Sequence, residues 1–245
     1  MTLLRVENLS KTFGALWAVK NVSFSVEEGE IVGLIGPNGS GKSTLFHLLT
    51  GLIKPNGGRT WYKGEEITKE RPYKICERGM TRTFQLVRPF SDMTVLKNVM
   101  VGRAYGSEPA RSMRQVEADA NHLLQLTGLT GKSTVLAGTL ALVDRKKLEL
   151  ARALATKPKL LLLDEVMAGL NTAEMNEAVR FIKWVRESGV TLIVVEHVMK
   201  ALLGMADRVI VLNAGEKIVE GTPREIAGNE EVIRVYLGER HRAGA

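Results

Sequence analysis

Three short stretches of the chain are almost free of polar side chains: residues 31–35, 160–163 and 190–195. A run that short and that apolar fits a strand covered on both faces, where in–out alternation is lost. Weaker strand patterns occupy 3–8, 22–26 and 58–62, the last running into a turn at Lys63-Gly64. From about Val87 to Thr156 strand patterns vanish. Apolar residues there recur at helical spacing over 111–126, and a second helix is expected over 144–154. Beyond this, elements alternate: a strand at 160–163, a helix at 172–187, a strand at 190–195, a helix from Val198, and strands at 208–212 and 217–219. Such alternation predicts an α/β fold with a mostly parallel sheet wrapped by helices. Ligands of such sheets sit at the carboxyl ends of the strands.

The first buried run ends in Gly36-Pro37-Asn38-Gly39-Ser40-Gly41-Lys42-Ser43-Thr44, and a helical run over 43–52 follows. This is the phosphate-loop pattern G-x-x-x-x-G-K-[S/T] in its proper setting between strand and helix. Its glycines reach backbone angles closed to other residues, so successive amides converge on phosphate oxygens, and the helix dipole points the same way. Lys42 is expected to reach the β- and γ-phosphates of ATP, and the Ser43 hydroxyl to ligate Mg²⁺. The second run ends in Asp164-Glu165. Asp164 is expected in the Mg²⁺ shell through water, and Glu165 as the base that polarises an attacking water. The third run ends in Glu196-His197, and a neutral His197 imidazole there suits the γ-phosphate. Gln85, in Thr83-Phe84-Gln85, offers a neutral donor and acceptor for sensing Mg²⁺ and the water. Phe13 fits equally a core aromatic or a platform for adenine; the local pattern does not choose.

Charge and cysteine narrow the setting. The net charge is +7, but the basic residues are scattered (Arg71 and Lys74; Arg145, Lys146 and Lys147; Arg240 and Arg242) and aromatics make up 5% of the chain. Solvated faces explain this better than a nucleic-acid surface, so no nucleic acid is expected. If a membrane partner exists, an anionic leaflet is the better use of the charge. The single cysteine, Cys76, fits a reducing cytosol and a small half-buried residue. The N-terminal apolar run is too short for a secretory signal, and no stretch approaches the roughly 20 apolar residues that span a bilayer.

The order phosphate loop, Gln85, helical insert, Asp164-Glu165, His197 resembles the ATP-binding cassette of ABC transporters over nearly the whole chain. The likeness is greatest to the larger ATPase subunit of branched-chain amino acid importers. It is carried by Arg82-Thr83-Phe84-Gln85, Met93-Thr94-Val95-Leu96-Lys97-Asn98-Val99, Ala151-Arg152-Ala153-Leu154-Ala155-Thr156, Ala168-Gly169-Leu170-Asn171, Glu220-Gly221-Thr222-Pro223 and Val235-Tyr236-Leu237-Gly238. The resemblance implies a P-loop NTPase, RecA-like core with an N-terminal antiparallel β subdomain and a helical insert. Residues 1–85 and 157–245 would form the catalytic core and 86–156 the helical subdomain. It implies two cassettes paired head to tail, each ATP lying between one phosphate loop and the other cassette's signature motif. Closure on ATP would drive two transmembrane permease subunits, supplied by an extracytoplasmic solute-binding protein. The cassette would lie in the cytoplasm, peripheral on the inner face of the membrane. Phe13 becomes the adenine-stacking aromatic, Gln85 and the insert become the lever to the permeases, and Asn171 lies in the loop that crosses to the partner cassette.

One departure matters. The family signature is L-S-G-G-Q or a near variant, and the aligned residues here are Leu140-Ala141-Leu142-Val143-Asp144. The serine hydroxyl is absent at Ala141, Leu142 and Val143 replace the glycines, and Asp144 is acidic. Asp144 can cap the following helix or repel a γ-phosphate. A heterodimer with a cassette carrying a normal signature is therefore expected, one site being full and the other impaired. A subfamily variant that binds phosphate through backbone amides is the alternative. Two other functions compete. ABC-type ATPases acting on nucleic acid usually carry two cassettes or a long coiled-coil insert, unlike this chain. A regulatory cassette without turnover is disfavoured by Glu165 and His197, although the degenerate signature leaves it open for a homodimer.

Overall fold

In–out alternation breaks at Asn8 and Asn21, and both positions prove to be bulges rather than strand ends. Each adopts a left-handed backbone (φ 49°), and the pairing register slips beside it. Strands β1 (Thr2–Phe13) and β2 (Leu16–Glu27) therefore run well past the expected 3–8 and 22–26. An extra residue flips every later side chain to the other face, which hid the remainder of each strand.

The computed structural model describes residues 1–85 and 88–242, with side chains through Tyr236. Leu86 and Val87, where the helical segment was expected to begin, lie outside it. After β2 come β3 (Ile31–Ile35), α1 (Lys42–Leu49), β4 (Gly57–Tyr62), β5 (Glu65–Glu66), α2 (Pro72–Glu77) and β6 (Met80–Arg82). Helices α3 (Val95–Tyr105), α4 (Met113–Leu126) and α5 (Leu142–Ala155) follow, then β7 (Leu160–Asp164). The chain closes with α6 (Thr172–Glu187), β8 (Thr191–Val195), α7 (Met199–Leu203), β9 (Arg208–Asn213), β10 (Glu216–Gly221), α8 (Pro223–Gly228) and α9 (Glu230–Arg242).

Two compact units result, Met1–Pro72 with the chain from Met167 onward, and Tyr73–Val166. In the first, β2, β1, β4 and β5 form an antiparallel sheet. Beside it β3 pairs in parallel with both β8 and β9, and β10 closes antiparallel on β9. All five residues of β3 and of β8 are buried, as their apolar runs require. Helix α6 spans the expected residues because Asn171 and Glu174 close a reciprocal capping box, with bonds of 3.0 and 2.8 Å.

In the second unit β6 and β7 pair in parallel, and three helices enclose their own core around Val99, Leu124, Leu148 and Ala151. Each such fully buried Leu or Val contributes about 1.5–3 kcal/mol. Helix α4 begins at Met113 rather than Arg111 because the Ser112 hydroxyl caps it, accepting from Gln115 N at 3.2 Å. Helices α3 and α5 approach backbone to backbone: a Cβ on Gly102 would stand 2.5 Å from the Arg152 carbonyl oxygen. Glu149 on α5 is a buried carboxylate whose Oε1 accepts from Phe84 N at 2.7 Å. Burial pushes it up to about 7, against the Phe84 hydrogen bond and the charges of Arg152 and Arg82.

Two stability predictions follow from these contacts. Gly102→Ala gains about 1 kcal/mol of helix propensity but forces a clash with Arg152 that costs about 1–3 kcal/mol; a lowered urea midpoint is expected. For Glu149, the folded chain keeps a proton between about pH 4.5 and 7 that the unfolded chain has released. Stability therefore falls as pH rises through that window, by on the order of 2–4 kcal/mol, and then levels. Glu149→Gln keeps an oxygen for the Phe84 amide and removes this slope; urea midpoints at about pH 5 and about pH 8 measure the change.

Candidate active site

The phosphate loop is defined by what its glycines exclude. A Cβ on Gly36 (φ 151°) would meet the Leu212 carbonyl oxygen at 2.2 Å, and one on Gly41 (φ 103°) the Ala18 carbonyl oxygen at 2.3 Å. Backbone from β9 and β2 thus walls the loop, and only glycine turns there. Gly215 N donates to Ser40 O at 3.1 Å, Ser40 N to Pro37 O at 3.1 Å, and Gly36 N to the Tyr236 hydroxyl at 2.8 Å. Gly41 is the N-cap of α1 and supplies no side-chain acceptor, so the first amides of α1 head the loop. Lys42 is buried, its Nζ donating to Gly36 O at 2.7 Å and Pro37 O at 2.9 Å. Asn38, Gly39 and Ser43 are exposed on this turn, and Thr44 is half-buried.

Strand β8 lies directly beside β3, with Val195 opposite Leu34. Glu196 and His197 therefore leave the same sheet edge as the loop. Glu196 is buried and its Oε1 accepts from Met167 N at 2.8 Å, while His197 is exposed. Phe13 ends β1 opposite Leu16 and is 53% exposed, so it is no core aromatic; Lys11 Nζ lies 5.5 Å from its ring centroid.

In the second unit, Asp164 and Glu165 end β7 in different surroundings. Asp164 is buried, its Oδ2 bound by Arg82 Nη2 at 2.7 Å and its amide by Thr83 Oγ1 at 3.0 Å. Burial works against the Arg82 charge, and Asp164 beside it works in its favour. Glu165 turns into the left-handed region (φ 52°), a conformation costing about 1–2 kcal/mol for an L-residue. Two contacts offset that cost. Gln85 Nε2 donates to Glu165 Oε2 at 2.7 Å, and Lys146 Nζ donates to the carbonyl oxygens of Glu165 and Val166 at 3.3 Å each.

The residues aligned with the signature lie at the start of α5. Ala141 is its N-cap, with no side-chain cap. Asp144 does not cap the helix as one of its two expected uses required; its carboxylate pairs with Lys132, an ammonium being a stronger partner than a neutral amide. Arg145 ties down the preceding loop, donating to Leu140 O at 2.7 Å and Gly138 O at 2.8 Å. Leu142 is 60% exposed, and Val143 is half-buried.

The donor set fits a hard cation. Within the second unit the Asp164 carboxylate and the Gln85 amide oxygen are oxygen donors of the kind Mg²⁺ takes, Gln85 having committed its nitrogen to Glu165; the Ser43 hydroxyl of the first unit is, by its chemistry, another such donor. Sequence reasoning gave no role to Arg82, Thr83, Lys146, Glu149 or Glu196 as individual side chains. One signal was visible: Glu149 is the one charged residue between Leu148 and Leu150-Ala151 in an otherwise apolar stretch.

Comparison with known proteins completes the assignment. A family model described as ABC transporter matches residues 19–168, and one described as branched-chain amino acid ATP-binding cassette transporter matches 216–242. The high-affinity branched-chain amino acid transport ATP-binding protein BraF of Pseudomonas aeruginosa is 40% identical, over 97% of this chain and 98% of that protein. LivG of Escherichia coli, of the same description, is 39% identical over the same shares. Among solved structures, a nucleotide-free ATP-binding cassette from an ABC transporter superposes with a TM-score of 0.87 at 31% identity, covering 96% of this chain and 99% of that one. A dimeric cassette in a post-hydrolysis state bound to ADP and Pi gives 0.82 at 26% identity, over 91% and 99%. With its phosphate loop, its Asp164-Glu165 strand end and these likenesses, the chain belongs to the ABC transporter family, as one of its ATP-hydrolysing cassettes.

Proposed function

We propose that this cassette powers import of branched-chain amino acids or related small solutes, working on the inner face of the membrane with two permease subunits and a second cassette. An extracytoplasmic solute-binding protein delivers the solute. The names of BraF and LivG and the match over 216–242 support the solute class. Among the described residues no helix is long and apolar enough to cross a membrane, so separate subunits carry the path.

The observation that carries the mechanism is the 2.7 Å bond from Gln85 to Glu165. It holds the carboxylate of the proposed base by a neutral side chain, which orients the group without drawing off its charge. Water attacks the γ-phosphate in line as the bond to the β–γ bridging oxygen breaks and ADP leaves; Glu165 takes the water's proton, and His197 holds the geometry. The loop amides and Lys42 balance phosphate charge, Lys42 exchanging the carbonyl oxygens of Gly36 and Pro37 for phosphate oxygens. Phe13, exposed beside Lys11, stacks on adenine. Ser43, Asp164 and Gln85 are the residues that would hold Mg²⁺, and the ion would supply neutralisation of charge on the β- and γ-phosphates. Residues 86–156, read as the helical subdomain, with 1–85 and 157–245 as the catalytic core, act as the lever to the permeases, through Gln85.

The second cassette is a different chain in this reading. Pairing of Asp144 with Lys132 relieves its repulsion of phosphate, so the defect reduces to the lost serine hydroxyl and the bulk of Leu142 and Val143. A lost charge-assisted contact costs about 1.5–3 kcal/mol, or one to two decades in affinity.

Three outcomes test this. Glu165→Gln is expected to slow phosphate release by about 10²–10⁴-fold while ATP stays bound; undiminished hydrolysis removes the base assignment. Lys42→Ala is expected to weaken ATP binding by about 10–100-fold in equilibrium titration. Purified alone, the chain should bind MgATP but remain monomeric and nearly idle, and a cassette carrying L-S-G-G-Q should rescue turnover. ATP-driven homodimerisation with turnover would show instead that the start of α5 binds phosphate through its amides.

A further inference from the structure

We propose that Tyr236 is a positioning residue of the phosphate loop, its hydroxyl holding the Gly36 amide and so making the C-terminal helix part of the nucleotide site. The inference rests on the loop binding phosphate, as read above. Gly36 is buried and is the first residue past the ladder of β3, whose last pairing is Ile35 with Val211. A buried backbone donor at such a point needs an acceptor. The acceptor comes from 200 residues away: Gly36 N donates to Tyr236 Oη at 2.8 Å.

That bond acts on the pivot of the loop. The two peptide groups flanking the Gly36 α-carbon are each held by one side chain. Tyr236 takes the N–H before it, and Lys42 Nζ takes the carbonyl after it, at 2.7 Å. When Lys42 turns to phosphate, its hold on Gly36 O is given up. The Tyr236 hydroxyl is the side-chain anchor that does not depend on nucleotide, and it keeps the loop in the shape that binds. Without it, part of the binding energy goes into ordering the first peptide of the loop.

Helix α9 is built to present this hydroxyl. The Asn229 side chain caps its start, accepting from Glu231 N at 2.9 Å and Val232 N at 3.1 Å. Val232 is 4% exposed, and Tyr236 lies four residues on, on the same helix face. Helix α8, just before, is fixed by a capping box between Thr222 and Glu225. The segment 216–242 therefore ends in a helix whose direction is set twice before it reaches the loop.

The experiment measures MgATP and MgADP affinity of the full chain by titration calorimetry, with melting temperature and hydrogen exchange at the Gly36 amide alongside. Tyr236→Phe is expected to raise both dissociation constants about five- to tenfold. It should speed Gly36 exchange and leave the melting temperature nearly unchanged. Tyr236→Leu should weaken binding by the same factor, while also melting lower through loss of the ring. Wild-type affinity in Tyr236→Phe overturns the proposal, whether or not the Leu variant is weak, because it assigns any effect to ring packing alone. Lys42→Ala separates the two levels. If it too binds as wild type, the phosphate-loop reading fails and the inference falls with it; if it is weak while Tyr236→Phe is not, only the role of Tyr236 fails.

Discussion

Two carbonyl oxygens set the terms for everything else. Those of Leu212 and Ala18 stand 2.2 and 2.3 Å from where side chains would begin at Gly36 and Gly41. A loop so enclosed has little room to sample other shapes, so its amides are ordered before a ligand arrives. Preorganised donors are worth more than donors that must be gathered. The constraint reaches outward. It requires β2 and β9 to be in place, which requires the bulges at Asn8 and Asn21 that let the antiparallel strands continue. The nucleotide site is thus a product of sheet geometry, and the loop sequence alone would not produce it.

The second unit solves a different problem, that of placing acids at a buried strand end. Asp164 is buried and paired with Arg82, whereas Glu165 is half-buried and its Oε2 accepts from the neutral amide of Gln85. Two adjacent carboxylates are in this way given different partners, one a buried cation and the other a neutral amide. Lys146 adds a tie from α5 to the Glu165 backbone. The helix that begins with the signature-like residues is therefore mechanically joined to the proposed base of its own chain.

Much of this was legible in the sequence because it follows from local rules. Buried strands read as unbroken apolar runs, α6 carried its own cap in Asn171 and Glu174, and the phosphate loop announced its glycines. What stayed hidden depends on partners distant in the chain. Arg82 meets Asp164 across 82 positions, and Gly36 meets Tyr236 across 200. Asp144 had two local uses on paper, cap or repulsion; no side-chain cap forms, and its carboxylate pairs instead with Lys132 from before the helix. The strand bulges were missed for a simpler reason: one added residue inverts a period-two pattern, so a continuing strand looks like its end.

The Arg82–Asp164 pair has a consequence for how such a chain changes over generations. Removing one member of a buried ion pair typically costs about 3–5 kcal/mol, because the other charge is left stranded. That is a large share of the roughly 5–15 kcal/mol by which a domain of this kind stays folded. Neither position can drift first, and their substitutions are epistatic. Neutral evolution can wander over most of this surface, but it meets at this pair a two-step path whose intermediate lies close to unfolding.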